Sequence, residues 1–161
     1  MELTIIIPVY NVENHLSRCL DSIFVGNNID GEFEVIAVDD GSTDNSYGIL
    51  QEYAFRYKQL KIYHQENQGS SVARNKALDV ATGKYIMFVD SDDFVEKDSI
   101  NTILQEAIKT DIDILFYDFN IISEDGVKNR ASCPNFLENI FFIVEAYILR
   151  EAEINSLWKS L

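Results

Sequence analysis

The sequence predicts an α/β domain, a mainly parallel sheet with helices on both faces. Three observations predict it. Short β-branched runs alternate with amphipathic stretches from residue 4 to residue 117. The runs are apolar right through, as strands covered on both faces are. The chain has 161 residues with no linker to divide it, which is the length of one core.

Each element follows from its own residues. Thr4-Ile5-Ile6-Ile7 is expected as a buried strand, stopped by Pro8, which has no N–H for a ladder. Leu16, Cys19, Leu20, Ile23 and Phe24 fall on one helical face. Residues 34–38 read as a second strand, and Ile49, Leu50, Tyr53, Ala54 and Tyr57 line a second helix. Residues 60–63 form a short third strand. Val72, Ala73, Ala77, Val80 and Ala81 mark a third helix, with Gly83 as its expected C-cap. Residues 85–89 are a fourth strand, Ile100, Ile103, Leu104, Ala107 and Ile108 a fourth helix, and residues 113–117 a fifth strand. After residue 118 the pattern changes. Residues 120–123 and 127–131 flank Glu124-Asp125-Gly126 as a hairpin, and Leu137, Ile140, Phe141, Val144, Tyr147 and Ile148 suggest one more helix.

Composition narrows the function. Apolar residues make up 47% and aromatics 12%, which excludes global disorder. The 13 basic and 27 acidic residues leave a net charge of −14, against a nucleic-acid or anionic-membrane binder. Cys19 and Cys133 make no disulfide framework and are expected as buried thiols in a reducing compartment. The apolar start is too short for a signal peptide, and no apolar run approaches the ~20 residues of a membrane span. The expectation is a cytoplasmic protein, placed at the inner face of the membrane if further sequence takes it there.

In a parallel sheet, ligands bind beyond the carboxyl ends of the strands. Three strands end in polar clusters: Pro8-Val9-Tyr10-Asn11, Asp39-Asp40-Gly41-Ser42-Thr43-Asp44 and Asp90-Ser91-Asp92-Asp93. Taken singly, each also fits turn and cap chemistry, with Asn11 capping the first helix and Ser42, Thr43 or Asp44 the second. The last cluster is harder to read that way. Three carboxylates in four residues repel one another, and a hard cation such as Mg²⁺ or Mn²⁺ would remove that cost. Asn67-Gln68-Gly69-Ser70 offers a turn into a helix start whose N–H groups favour anions. Arg74, one turn in, either meets a phosphate or balances the surrounding acids. His15 and His64 have no ligand-spaced partners and read as ordinary surface or half-buried residues. No P-loop, GxGxxG or Ser/His/Asp pattern occurs.

Together, TIIIPVYNVENHLSRCLDSI, EVIAVDDGSTDNS and NQGSSVARNKALDVATGKYIMFVDSDD resemble the N-terminal, donor-binding part of family 2 glycosyltransferases, which have the Rossmann-like GT-A fold. The likeness runs from about residue 3 to residue 98, four motifs in order. It implies inverting transfer of a sugar from a nucleotide-diphospho-sugar, UDP-linked by default, to a saccharide or lipid-linked acceptor in cell-surface polysaccharide synthesis. It implies Mn²⁺ or Mg²⁺ as cofactor. By position, Pro8, Tyr10 and Asn11 match the loop where base and ribose pack. Asp40 matches the acid that hydrogen-bonds the base, and Arg74 a basic residue near the nucleotide. Asp90, Ser91 and Asp92 match the DxD segment, with Asp92 the direct metal ligand and Asp90 beside it. Residues 1–118 then form the nucleotide-sugar and metal half of a single domain, 1–161, and residues 119–161 an incomplete start of the acceptor side.

An inverting enzyme needs a general base. In the family it follows a Trp-Lys segment that Leu157-Trp158-Lys159 resembles, so the base is expected beyond Leu161 and the chain alone is expected to bind donor without transferring it. Exposed Ile154, Leu157 and Trp158 would favour a homodimer. The rivals are a non-catalytic nucleotide-sugar-binding module and a phospho-receiver domain. The second needs a Lys at the end of a late strand, where this chain has Tyr117-Asp118-Phe119.

Overall fold

The computed structural model describes residues 1–29, 32–111, 113–116, 119–122, 128–131 and 147–150. The elements are β1 (Leu3–Val9), α1 (Leu16–Phe24), β2 (Phe33–Asp39), α2 (Ser46–Arg56), β3 (Leu60–His64), α3 (Ser70–Leu78), β4 (Tyr85–Phe88), α4 (Ser99–Thr110), β5 (Ile114–Phe116), β6 (Phe119–Ile122), β7 (Lys128–Ala131) and β8 (Tyr147–Arg150). The main sheet has the order β3-β2-β1-β4-β8-β5. The four strands β1 to β4 run parallel, as the apolar runs predict. β8 enters antiparallel between β4 and β5. β6 and β7 form the expected hairpin, with Phe119 opposite Ala131 and Ile122 opposite Lys128. Its turn, Glu124-Asp125-Gly126, lies outside the described residues, as do Cys133 and everything after Arg150.

The pleat divides the core into two layers. Leu3, Ile5, Ile7 and Val9 of β1 join Val35, Ala37, Tyr85 and Met87 against Leu16, Leu20 and Ile23 of α1, Leu50 of α2 and Leu104 of α4. Ile6, Ile36, Val38, Ile86 and Phe88 face the other way, onto Ala73 and Ala77 of α3. Each large aliphatic fully withdrawn from water contributes about 1.5–3 kcal/mol. The small alanines let α3 lie close to the sheet. Among the described residues no helix is long and apolar enough to cross a membrane.

Several expectations are corrected. Pro8 does not stop β1, which runs on to Val9 with Pro8 opposite Val38. The Ile6 carbonyl accepts from the Val89 N–H, so even-numbered residues of β1 turn their backbone toward β4. The β1–β4 register ends at Ile6 opposite Phe88, so the missing proline N–H falls past its end. Gly83 does not cap α3, which ends at Leu78 with Asp79 behind it. It is small because a Cβ there would run into the Thr4 N and lie 2.6 Å from the Leu3 carbonyl carbon. Val72 and Ile108, assigned to buried helical faces, are exposed. Tyr147 and Ile148, read as the end of a helix, belong to β8. The rest of that predicted helix lies outside the described residues.

The amino edge of the sheet carries a buried charge. Glu34 is 1% exposed. Its Oε1 accepts from the Thr4 hydroxyl at 2.8 Å and from the Thr82 N–H and hydroxyl at 2.8 and 2.7 Å. Its Oε2 meets Lys61 Nζ at 2.6 Å. Burial alone would raise the Glu34 pKa, but the bonds from Lys61, Thr82 and Thr4 outweigh it and hold the carboxyl down at about 2, against an ordinary 4.5. A lowered folded-state pKa stabilises the fold above pH 4.5, and that contribution is lost as pH falls toward about 2. Glu34→Ala leaves the Thr4 and Thr82 donors without their acceptor and should cost on the order of 3 kcal/mol in urea unfolding at neutral pH. The variant's stability should also fall less steeply than the parent's between pH 4.5 and 2.5, because the group that titrates there is gone.

Candidate functional site

The order β3-β2-β1-β4 reverses direction at β1. The connections from β1 to β2 and β3 step one way, and β4 then returns to the other side of β1. Such a reversal parts the loops at the carboxyl edge and leaves a crevice there. A cleft of about 390 Å³ occupies that place, lined by Pro8, Val9, Tyr10, Asp40, Asn67, Gly69, Ser70, Arg74, Asp90, Ser91 and Asp92.

Of the eight residues expected at the site, seven line this cleft: Pro8, Tyr10, Asp40, Arg74, Asp90, Ser91 and Asp92. Asn11 does not. Its backbone is left-handed, with φ 52°. Its Oδ1 accepts from the Thr43 N–H at 2.8 Å, and its own N–H donates to the Ser42 hydroxyl. Val12 N donates to the Ser46 hydroxyl, Glu13 N to Asp44, and Asn45 N back to Glu13. Asn11 therefore stitches the β1–α1 loop to the β2–α2 loop and does not cap α1, which starts at Leu16. Asp44 does reach the start of α2, accepting from the Ser46 N–H at 2.9 Å.

The adjacent acids at the end of β2 divide their work. Asp39 turns away from the cleft and meets His64 Nδ1 at 2.7 Å. The Tyr47 ring meets that imidazole in a T-shaped contact, with centroids 5.7 Å apart. Asp40 is 2% exposed. Its Oδ1 accepts from Gln65 Nε2 at 2.7 Å and from the Gln68 N–H at 2.9 Å, and its Oδ2 from the Gly69 N–H at 2.8 Å. Burial opposes charge on Asp40, but these three donors outweigh it and keep the carboxyl below its usual range. The loop it holds begins α3. Gly69 has φ 93°, which a side chain would strain, and Gly41 has φ 74°. A Cβ on Gly41 would come 2.9 Å from the Asn67 N, so a bare backbone lets the two loops touch.

At the far wall, Arg74 Nη2 lies 2.5 Å from Asp90 Oδ1, and Nη1 reaches the Ser70 hydroxyl at 3.4 Å. Arg74 thus balances an acid, one of the two roles its sequence left open. Asp92 is exposed, with no hydrogen-bond partner among the described residues. Ser91 between them is 6% exposed. Val9, Asn67, Gly69 and Ser70 also line the cleft; they belong to the first strand tip and to the turn into an anion-favouring helix start that the sequence marks. The Gly-Ser step into α3 was the readable signal for the last three. The Asp39–His64 pair had none, because 25 residues separate its partners. Among the described residues no three acid, His or Cys side chains are grouped to hold a metal by themselves.

The model of the family described as "Glycosyl transferase family 2" matches residues 4–153. Glycosyltransferase GlyA of Streptococcus pneumoniae serotype 4 is 41% identical over 122 residues, 74% of this chain and 17% of GlyA. The poly(ribitol-phosphate) beta-glucosyltransferase of Bacillus spizizenii is 39% identical over 102 residues, 62% of this chain and 16% of that protein. The crystal structure of S. aureus TarS 1–349 in complex with UDP-GlcNAc superposes with a TM-score of 0.81 and 27% identity, covering 97% of this chain and 47% of that one. The chain thus spans less than half the length of each.

The dependence of the Gln65–Gly69 loop on Asp40 can be measured without ligand. A hydrogen bond to a charged group is worth about 1.5–3 kcal/mol. In Asp40→Ala, amide exchange at Gln68 and Gly69 should therefore quicken roughly 10- to 150-fold, while exchange in the β1–β2 ladder keeps its parent rate. Equal quickening in both places would mean that the substitution loosens the whole sheet.

Proposed function

The chain belongs to glycosyltransferase family 2, and on that premise we propose that its cleft binds a nucleotide-diphospho-sugar whose sugar passes, with inversion, to an acceptor hydroxyl of a cell-surface polymer. The observation that carries this reading is the convergence of Asp40, Arg74, Asp90 and Asp92 on one cleft where the strand order reverses. UDP is the first nucleotide to test, because TarS, 27% identical, is described with UDP-GlcNAc.

Each lining group takes a part of the donor. Tyr10, 47% exposed at the rim, offers a ring face to a base. Asp40 keeps one of the about four acceptor positions of a carboxylate, since three are filled, and that one suits a base N–H. Arg74 and the start of α3 give the diphosphate positive potential. Asp92 and Asp90 are hard oxygen donors on the edge of the cleft, too few to enclose an ion. That suits Mg²⁺ or Mn²⁺, which these two carboxylates would hold together with ligands from outside the protein. When bound, the ion offsets the negative charge of the departing diphosphate. The protein's own contribution is to fix the donor between the β1 and β4 tips. None of the cleft acids is free to take the acceptor proton. Asp40 is occupied, Asp90 is paired and Asp92 is assigned to the metal, so we assign the general base to residues outside this cleft. The reading places the protein in the cytoplasm, where nucleotide-sugars are made.

The test is a thermal-shift screen of UDP- and GDP-sugars with and without Mn²⁺. A ligand at 100 times its Kd stabilises by about 2.7 kcal/mol. The expected result is a UDP-sugar that raises Tm, and raises it further with Mn²⁺. Asp92→Asn should keep the first shift and lose the second. No shift with any nucleotide-sugar would overturn the reading.

A further inference from the structure

The acid tip at residues 90–93 has a mechanical problem. Asp90, Asp92 and Asp93 crowd one turn and repel one another. Arg74 offsets Asp90. One end of the tip is fixed by the sheet, where the Val89 N–H donates to the Ile6 carbonyl. The other end leaves for α4, whose N-cap residue Asp98 is left-handed and makes no side-chain cap.

The helix α1 and the residues just past it line the tip from its start at Asp90 to that other end. The Cys19 thiol lies 3.6 Å from the Asp90 carbonyl. The Arg18 guanidinium sits 3.7 Å above the centre of the Phe94 ring. The Val95 N–H donates to the Ser22 hydroxyl at 3.1 Å, and the Asp98 N–H to the Gly26 carbonyl. Asn27, just past α1, closes the row. It is 5% exposed and uses both N–H donors and its oxygen. Its Nδ2 donates to the Ser22 carbonyl at 2.8 Å and the Glu96 carbonyl at 3.1 Å, and its Oδ1 accepts from the Ile100 N–H at 2.9 Å. The cap that α4 lacks locally thus comes from 73 residues away.

We propose that Asn27, with Ser22, is a positioning residue for the acid tip: it ties the segment after Asp93 to α1 and so sets where the Asp92 carboxylate stands in the cleft. The inference rests on the donor-binding reading for its consequence and on the hydrogen bonds alone for its geometry. A buried amide with three of its four hydrogen-bonding positions filled, both donors among them, leaves little slack, so a loop held by it returns to one place. Asn27 and Ser22 themselves line no part of the cleft.

The substitution Asn27→Asp separates the two duties. It keeps an oxygen for the Ile100 N–H and removes both donations, to Ser22 and Glu96. Ser22→Ala is the milder second variant, removing the acceptor of the Val95 N–H. Two measurements are made on each. Hydrogen exchange across residues 91–98 should quicken in both variants, with α4 keeping its parent rates in Asn27→Asp. Titration with UDP should show Mn²⁺-dependent affinity falling roughly 5- to 30-fold, while affinity without Mn²⁺ changes less than about twofold. Unchanged exchange across residues 91–98, or affinity lost equally with and without Mn²⁺, would overturn the proposal. Should the parent bind neither UDP nor GDP, the donor reading fails while the exchange data still decide the geometry.

Discussion

Everything at the cleft depends on how three negative charges are held in one small volume. Each carboxylate meets that constraint differently. Asp40 is surrounded by N–H donors, which stabilise its charge where water cannot. Asp90 is matched by a guanidinium. Asp92 stays at the surface and relies on solvent or a ligand. A cleft with one acid that keeps a single open position, one paired acid and one open acid has a direction built into it. A cationic or metal-borne group is drawn toward the Asp92 side, and a neutral donor toward Asp40.

The sheet makes that arrangement possible by collecting tips. β1 lies between β2 and β4, so the ends of three strands come together although their residues are far apart in sequence. Loops then lock to loops. The β1–α1 and β2–α2 loops exchange hydrogen bonds through Asn11, Glu13 and Asp44, and the α3 entry hangs from Asp40. Side chains bond backbone in nearly all of these contacts, which defines loop positions without needing a core beneath them.

How much of this could be read beforehand varies with the kind of signal. The parallel strands were legible, because burial on both faces leaves an unbroken apolar run such as Ile5-Ile6-Ile7. The cleft acids were legible from position, since a strand's carboxyl end is a fixed place. Single residues with more than one use were not. Pro8 signals a break, yet the β4 ladder ends just before it would matter. Gly83 signals a cap, yet it is small for the sake of Thr4. Asn11 carries the motif but bonds a neighbouring loop, and a conformation with φ 52° leaves no trace in composition. The Asp39–His64 pair and the Asn27 cap depend on contacts across 25 and 73 residues, which no local pattern encodes. Tyr147 and Ile148 fit a helical period, but the vacancy between β4 and β5 selects a strand.

The central position of β1 also governs the order of assembly. Leu3 pairs with Phe33 on one side and with Tyr85 on the other. One flank closes over a loop of about 30 residues and the other over about 80, and the entropic cost of closure grows with loop length. During synthesis β1 emerges before both of its partners, and its β4-facing groups stay hydrogen-bonded to water until the chain has grown past Phe88. The cleft, shared between the β1 and β4 tips, comes into being only at that closure. Loop-closure cost thus favours the β1–β2 pairing before the β1–β4 one, and a nascent chain that pairs β1 with β2 alone has a sheet but no cleft.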